Sequence, residues 1–288
     1  MTIHTAMAAA LMSAAAMLSA QNQNPTFSSK VEAVRVDVLV TEDGKPVRGL
    51  GAADFEILDN GVRQTVDFAS SEELPLNVVF TFDLSGSILG ERLENLREAS
   101  HAVIGGLKKD DQAALVNFND AVVIGPGLTG DTGLVRAAID RAEPIGNTSL
   151  IDASFAGMML AESDVGRGLV IVFSDGLDTS SWLREKAVLD VAKRSDAVVY
   201  GVSAGLGGRA EFLGDLTEQT GGRLFKIEST RGLSAVFLEV LNEFRQRYLV
   251  SYSPAGVAQD GWHQLTVRVK GRSATVRARP GYLAGGPM

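Results

Sequence analysis

From Val31 onward, apolar and polar positions alternate: Val34, Val36, Val38 and Val40 are separated by Arg35, Asp37 and Leu39. A period of two predicts a strand with one face buried. Glu42-Asp43-Gly44 closes it with a turn. Phe55 and Ile57 then lead into Asp59-Asn60-Gly61, and Val66 and Phe68 lead out. That pattern predicts a hairpin with left-handed turn residues at its tip. After Pro75 apolar runs of strand length alternate with amphipathic stretches of helix length. The strands are expected over 77–82, 113–118, 121–124, 169–173, 197–202 and 223–227, and the helices near 91–107, 131–142, 150–163, 182–194, 210–220 and 231–246. Too few residues separate the second and third of these strands for a parallel crossover, so that pair is expected to be antiparallel. Strand character returns beyond Arg247, over 248–252, 263–269 and 275–278, with a Lys270-Gly271-Arg272-Ser273 turn.

Strand and helix in alternation predict an α/β fold, a doubly wound and mostly parallel six-stranded sheet covered by helices on both faces. Neither flank has enough strands to bury its own apolar face, because a lone hairpin is marginal in water. The two ends are therefore expected to pair with each other. One β-sandwich would form from 27–74 and 247–284, with the α/β domain of 75–246 inserted between them.

The first twenty residues contain no Asp, Glu, Lys or Arg and are dominated by Ala, Met and Leu, ending in Leu18-Ser19-Ala20 before a polar Gln21-Asn22-Gln23-Asn24. That reads as a secretory signal peptide over 1–20, since the apolar stretch is shorter than the roughly 20 residues a membrane span requires. No later stretch is apolar enough for a transmembrane helix. The expected location is therefore outside the cytoplasm, in a periplasm, at a cell surface or in the medium. With 45% apolar residues the 288-residue chain has ample material for a core. Its net charge of -8 supplies none of the clustered basic surface that polyphosphate binding needs. Nucleic acid is thereby excluded as a partner. The absence of cysteine rules out disulfides, so any metal would be held by oxygen or histidine.

Candidate chemistry concentrates at the carboxyl ends of the predicted strands, the edge where open α/β sheets bind ligands. The first core strand ends in Phe82-Asp83-Leu84-Ser85-Gly86-Ser87. Taken alone, this triplet is a weak signal and reads first as capping and turn residues. Gly146-Asn147-Thr148-Ser149-Leu150, just before a helix, and Phe173-Ser174-Asp175-Gly176, at the end of another strand, should approach the same edge. Five side-chain oxygens, from Asp83, Ser85, Ser87, Thr148 and Asp175, would then converge from three loops. Such a set suits a hard dication. Asp152 and Asp178 fall close by and read either as groups that orient the ligands or as helix caps.

Asp83-x-Ser85-x-Ser87, then Thr148, then Asp175, resembles the metal-ion-dependent adhesion site of von Willebrand factor A domains, over roughly residues 75–245. The resemblance implies a Mg²⁺ ion, or Mn²⁺ or Ca²⁺ in its place. Ser85 and Ser87 would bind it directly, Thr148 directly or through water, and Asp83 and Asp175 mainly through waters. It also implies a protein partner whose Asp or Glu carboxylate completes the coordination, and a binding module instead of an enzyme. The flanks, Arg48 to Phe55 and Arg245 to Tyr282, look like those of a bacterial exported subgroup.

Competing readings are a metal that merely ties three loops together, a subunit of an extracytoplasmic complex, and a hydrolase with Ser85 or Ser87 as nucleophile. The hydrolase lacks a base for either serine: the only histidines are His4, His101 and His263. No phosphate loop is present, and Gly205-Leu206-Gly207-Gly208 departs from the dinucleotide pattern, with Ala210 at the third glycine position. Trp182, Trp262 and His101 read as packing or surface residues.

Overall fold

Eight consecutive buried residues, Leu76–Asp83 (β6), form a strand at the middle of the molecule. Burial on both faces explains why this run shows no alternation. The computed structural model describes residues 33–71, 74–162, 165–205 and 211–285. The 1–20 segment and Leu206 to Ala210 lie outside the described residues.

Five further strands complete the sheet: Gln112–Phe118 (β7), Val122–Ile124 (β8), Arg167–Ser174 (β9), Val198–Ala204 (β10) and Leu224–Ile227 (β11). Their order is β11-β10-β9-β6-β7-β8. All neighbours are parallel except β7 and β8, where Val116 pairs antiparallel with Ile124. Six α-helices connect the strands: Glu91–Gly105 (α1), Thr132–Asp140 (α2), Leu150–Ala161 (α3), Glu185–Ala192 (α4), Glu211–Gln219 (α5) and Leu233–Arg245 (α6). Val78, Phe80 and Phe82 pack with apolar residues of α1, α2 and α6 on one face. Val79 and residues of α3, α4 and α5 make the core on the other. Gly157 lets α3 lie tight on β6, since a Cβ there would stand 2.6 Å from Thr81 Oγ1. The chain leaves β6 toward β7 on one side and β9 toward β10 on the other. Between these two strands the connections diverge, which opens a crevice at their carboxyl ends.

The flanks pair with each other. Val34–Glu42 (β1) runs antiparallel to Tyr248–Tyr252 (β12) from Val34↔Tyr252 to Val38↔Tyr248. Thr275–Arg277 (β14) and Val66–Ser70 (β5) extend this sheet, and Lys45–Pro46 (β2) turns back onto β1. The second sheet is built from Gly281–Ala284 (β15), Gly261–Val269 (β13), Phe55–Asp59 (β3) and Val62–Gln64 (β4), in that order. Val36, Val38, Phe55, Ile57, Val250 and Leu265 make the shared core. One detail differs from the sequence pattern. The strand leaving the Asn60-Gly61 turn breaks after Gln64: β4 pairs with β3, while β5 crosses to pair with β12. Gln64 marks the break, its side chain bonding the Ala255 backbone in both directions at 2.9 and 3.0 Å.

Arginines fasten this sandwich to the amino ends of the parallel strands. Arg167, the first residue of β9, pairs with Asp37 of β1. Fully buried Arg247 donates to Tyr200 Oη at 3.1 Å, to the Gly221 carbonyl at 2.6 Å and to the Asp37 carbonyl at 3.3 Å. Arg279 donates to the Ser195 carbonyl at 2.9 Å. The sandwich thus occupies the edge opposite the crevice.

Candidate metal centre

Asp83, the last residue of β6, is fully buried at the crevice. Its Oδ1 accepts from the Ser85 amide at 2.8 Å, which curls the chain into a tight loop. Its Oδ2 accepts from Ser174 Oγ, at the end of β9, at 2.6 Å. The loop is stitched to the segment before α3: the Ile145 amide donates to the Leu84 carbonyl at 2.8 Å and the Gly86 amide to the Gly146 carbonyl at 3.0 Å. Ser85 and Ser87 hydroxyls then stand 3.1 Å apart, and Ser87 Oγ donates to Asp175 Oδ1 at 2.6 Å. The other Asp175 oxygen accepts from Arg92 in the first turn of α1, whose guanidinium also reaches the Ser87 carbonyl at 3.4 Å. The Asp175 side chain is only 1% exposed.

Thr148 approaches from the third loop. Its amide donates to Thr179 Oγ1 at 3.1 Å, and its carbonyl accepts from the Thr179 and Ser180 amides at 2.8 and 3.1 Å. Its Oγ1 lies 3.5 Å from where a Cβ on Gly176 would stand, beside the Asp175 backbone. Asp120, in the β7–β8 turn, supports this loop by accepting from the Asn147 amide at 3.1 Å and from Asn147 Nδ2 at 2.6 Å. Gly146 has φ +78°, and a Cβ on it would come within 1.9 Å of Asp120 Oδ2, so only glycine fits.

Asp152 and Asp178 brace the loop after β9 and donate nothing to the five oxygens. Asp152 accepts from the Trp182 and Leu183 amides at 2.9 and 2.8 Å, so these residues hang outside α4, which begins at Glu185. Asp178 accepts from the Ile151 amide at 3.2 Å and Ser181 Oγ at 2.5 Å. Trp182 stands 93% exposed beyond the clasp. Neither Ser85 nor Ser87 touches a histidine: His101 sits 2.9 Å from Asp140 and His263 2.7 Å from Asp59.

Burial pushes the Asp83 carboxyl above its ordinary range, and the nearby charge of Asp175 adds to the rise, against the lowering effect of hydrogen bonds from Ser174 and Ser85. Crowding two carboxylates beside three hydroxyls creates a site that favours positive charge. Among the described residues no three His, Cys, Asp or Glu side chains gather as a metal cluster. Sequence reasoning missed Arg92, Ser174 and Asp120. Ser174 was visible only as the neighbour of Asp175, and nothing in the pattern marked the other two.

The von Willebrand factor type A domain model matches residues 77–239, from the second residue of β6 into α6 and across all five candidate oxygens. The chain belongs to the von Willebrand factor type A domain family. Curated relatives of this A domain protein include mouse inter-alpha-trypsin inhibitor heavy chain H2, 23% identical over 60% of this chain and 20% of the relative. Bovine inter-alpha-trypsin inhibitor heavy chain H1 is 22% identical over 91% of this chain and 31% of its own length. The chain thus spans between a fifth and a third of the length of these relatives. Among solved structures, a von Willebrand factor type A protein from Catenulispora acidiphila aligns with TM-score 0.54 at 15% identity, over 79% of this chain and 72% of that one. Proximal thread matrix protein 1 from the mussel byssus, with zinc occupied MIDAS motif, aligns with TM-score 0.55 at 18% identity, over 64% and 49%. At these identities the structures establish the shared fold.

Proposed function

We propose that this A domain is a divalent-cation-dependent protein-binding module of an exported protein. Asp83, Ser85, Ser87, Thr148 and Asp175 would hold Mg²⁺, with Mn²⁺ or Ca²⁺ as substitutes. An Asp or Glu carboxylate of a partner protein would complete the site. The observation that carries the reading is the run of oxygens Ser85–Ser87–Asp175, spaced at 3.1 and 2.6 Å. Neighbouring ligands around an octahedral Mg²⁺ stand about 2.9 Å apart, given metal–oxygen distances of about 2.0 to 2.1 Å. Three neutral hydroxyls beside two carboxylates fit such an ion while leaving it attractive to one more anion. The mussel protein's zinc occupied MIDAS motif adds support from the family. When bound, the ion supplies a positive, Lewis-acidic point. The chain's own residues would fix where that point stands, and exposed Ser87 would leave it facing the crevice.

A purely structural metal is the weaker reading, because the three loops are already tied by backbone bonds among Leu84, Ile145, Gly86, Gly146, Thr148 and Thr179. No described helix is long and apolar enough to cross a membrane. Calorimetric titration of Mg²⁺ and Mn²⁺ into metal-stripped protein tests the site, against a Ser85→Ala, Ser87→Ala double variant shown by circular dichroism to be folded. Saturable binding that disappears in the variant is expected. No binding by the native protein at millimolar metal refutes the proposal.

A further inference from the structure

The Asp175 carboxylate already has a cation, and it is part of the chain. Arg92 reaches back from the first turn of α1 to pair with Asp175. The carboxylate end of this pair is 1% exposed and the guanidinium end 48%. A carboxylate so enclosed is costly without a partner, so the pair is anchored at Asp175 and open to solvent at Arg92. Beside Arg92 opens a cavity of about 170 Å³ between α1 and the ends of β10 and β11, with Gly205, Glu228 and Thr230 in its wall. Its second carboxylate, Glu91, is held by Arg231 at 3.0 Å. Arg92 therefore borders two places of negative charge, Asp175 on the crevice side and Glu228 on the cavity side.

We propose that Arg92 is a displaceable internal counter-ion, held on Asp175 when the site lacks a dication and moved into the Glu228 cavity when one binds. This rests on the cation-site reading above. Asp175 Oδ2 takes the guanidinium while Oδ1 takes Ser87, the proposed direct ligand, so the guanidinium borders the proposed dication position. Two cations at such range repel, so occupancy by one weakens the other. Arg92 thereby lowers the apparent affinity for metal and turns loading into an exchange of cations. Loading also bares the crevice face of Asp175 and brings Arg92 to α1's acidic neighbours.

The test is calorimetric titration of Mn²⁺ into metal-stripped native, Arg92→Gln, Arg92→Lys and Arg231→Gln proteins. Arg92→Gln is expected to bind Mn²⁺ about fivefold more tightly, the size of a half-exposed ion pair, with Arg92→Lys near native. Arg231→Gln removes an equal charge from the same cavity without touching Asp175, and its affinity is expected to stay within about twofold. Unchanged or weaker binding by Arg92→Gln overturns the proposal, as does an equal gain in Arg231→Gln, which would make the effect one of general charge. Glu228→Gln is expected to weaken Mn²⁺ binding in the native background but not in Arg92→Gln; equal losses in both overturn the cavity as destination. If native and Arg92→Gln proteins both fail to bind, the cation-site reading falls as well. Binding by Arg92→Gln alone supports a closed counter-ion in the native chain.

Discussion

Removing the Asp59 carboxylate tests whether the two flanks are one folded unit. Asp59, on β3, is fully buried and is the common acceptor for three groups from the other flank. His263 Nδ1 lies 2.7 Å from Oδ1, and the Tyr252 and Tyr282 hydroxyls donate to Oδ2 at 2.8 and 2.9 Å. Asp59→Ala strands these groups in a dry interior. Tyr282 Oη and His263 Nδ1, 3.1 Å apart, then bond each other, so Tyr252 is the group left without its acceptor. At about 1 to 3 kcal/mol for a buried polar group left unmade, the net loss should be about 2 kcal/mol. Tyr252→Phe removes one donor together with its need for a partner and should cost about 1 kcal/mol. Urea unfolding followed through Trp262, the neighbour of His263 on β13, reads the sandwich directly; Trp182→Phe removes the other indole. With a slope of about 2 to 3 kcal/mol per molar urea, Asp59→Ala should lower the midpoint by about 0.7 to 1 M. A shift below about 0.2 M, or a Trp262 transition unaltered while the α/β domain moves, would show that the clasp does not hold the flanks together.

Gly146→Ala combines left-handed backbone strain with displacement of Asp120 from Asn147; at about 2 to 3 kcal/mol it should lower the melting temperature by about 5 to 10 °C and weaken Mn²⁺ binding through the Thr148 loop. A variant that melts within 1 °C of native contradicts the fit around Gly146. Asp190 has its carboxyl held below the ordinary 3.8 by hydrogen bonds from Lys186 and Lys193. A depressed carboxyl stabilises the fold above its unfolded value and loses that contribution as pH falls through the folded one. Because the side chain is 38% exposed, solvent screens the pair, so Asp190→Asn should cost only a few tenths of a kcal/mol at pH 7 and less at pH 2. A larger cost at pH 2 than at pH 7 would reverse the sign assigned here.

Legibility in the sequence divided along physical lines. Apolar runs and their lengths announced the parallel sheet, because a strand buried on both faces must be apolar throughout, as Leu76–Asp83 nearly is. Spacing alone announced the antiparallel β7 and β8. Helix ends were less legible where side chains from afar took the backbone: Asp152 holds the amides of Trp182 and Leu183, which delays α4. The split of one expected strand into β4 and β5 depends on Gln64 meeting Ala255, a residue 191 positions away.

Apart from Thr148, which precedes a helix, the candidate oxygens were named from residue type at strand ends, since polar residues that stop a buried strand at the carboxyl edge must face the crevice or one another. Their arrangement was decided by the tertiary structure: Ser87 on Asp175, Ser174 on Asp83, and Arg92 folded back over both loops. These pairings join positions more than eighty residues apart, so no local pattern encodes them; the order of the strands in the sheet does. Sequence determined which segments are strand or helix and which residues had chemistry to offer, because those follow from side-chain polarity and period. Only the fold decided which polar groups would meet, because that depends on how the sheet, once closed between its two helical layers, brings distant loops to one edge.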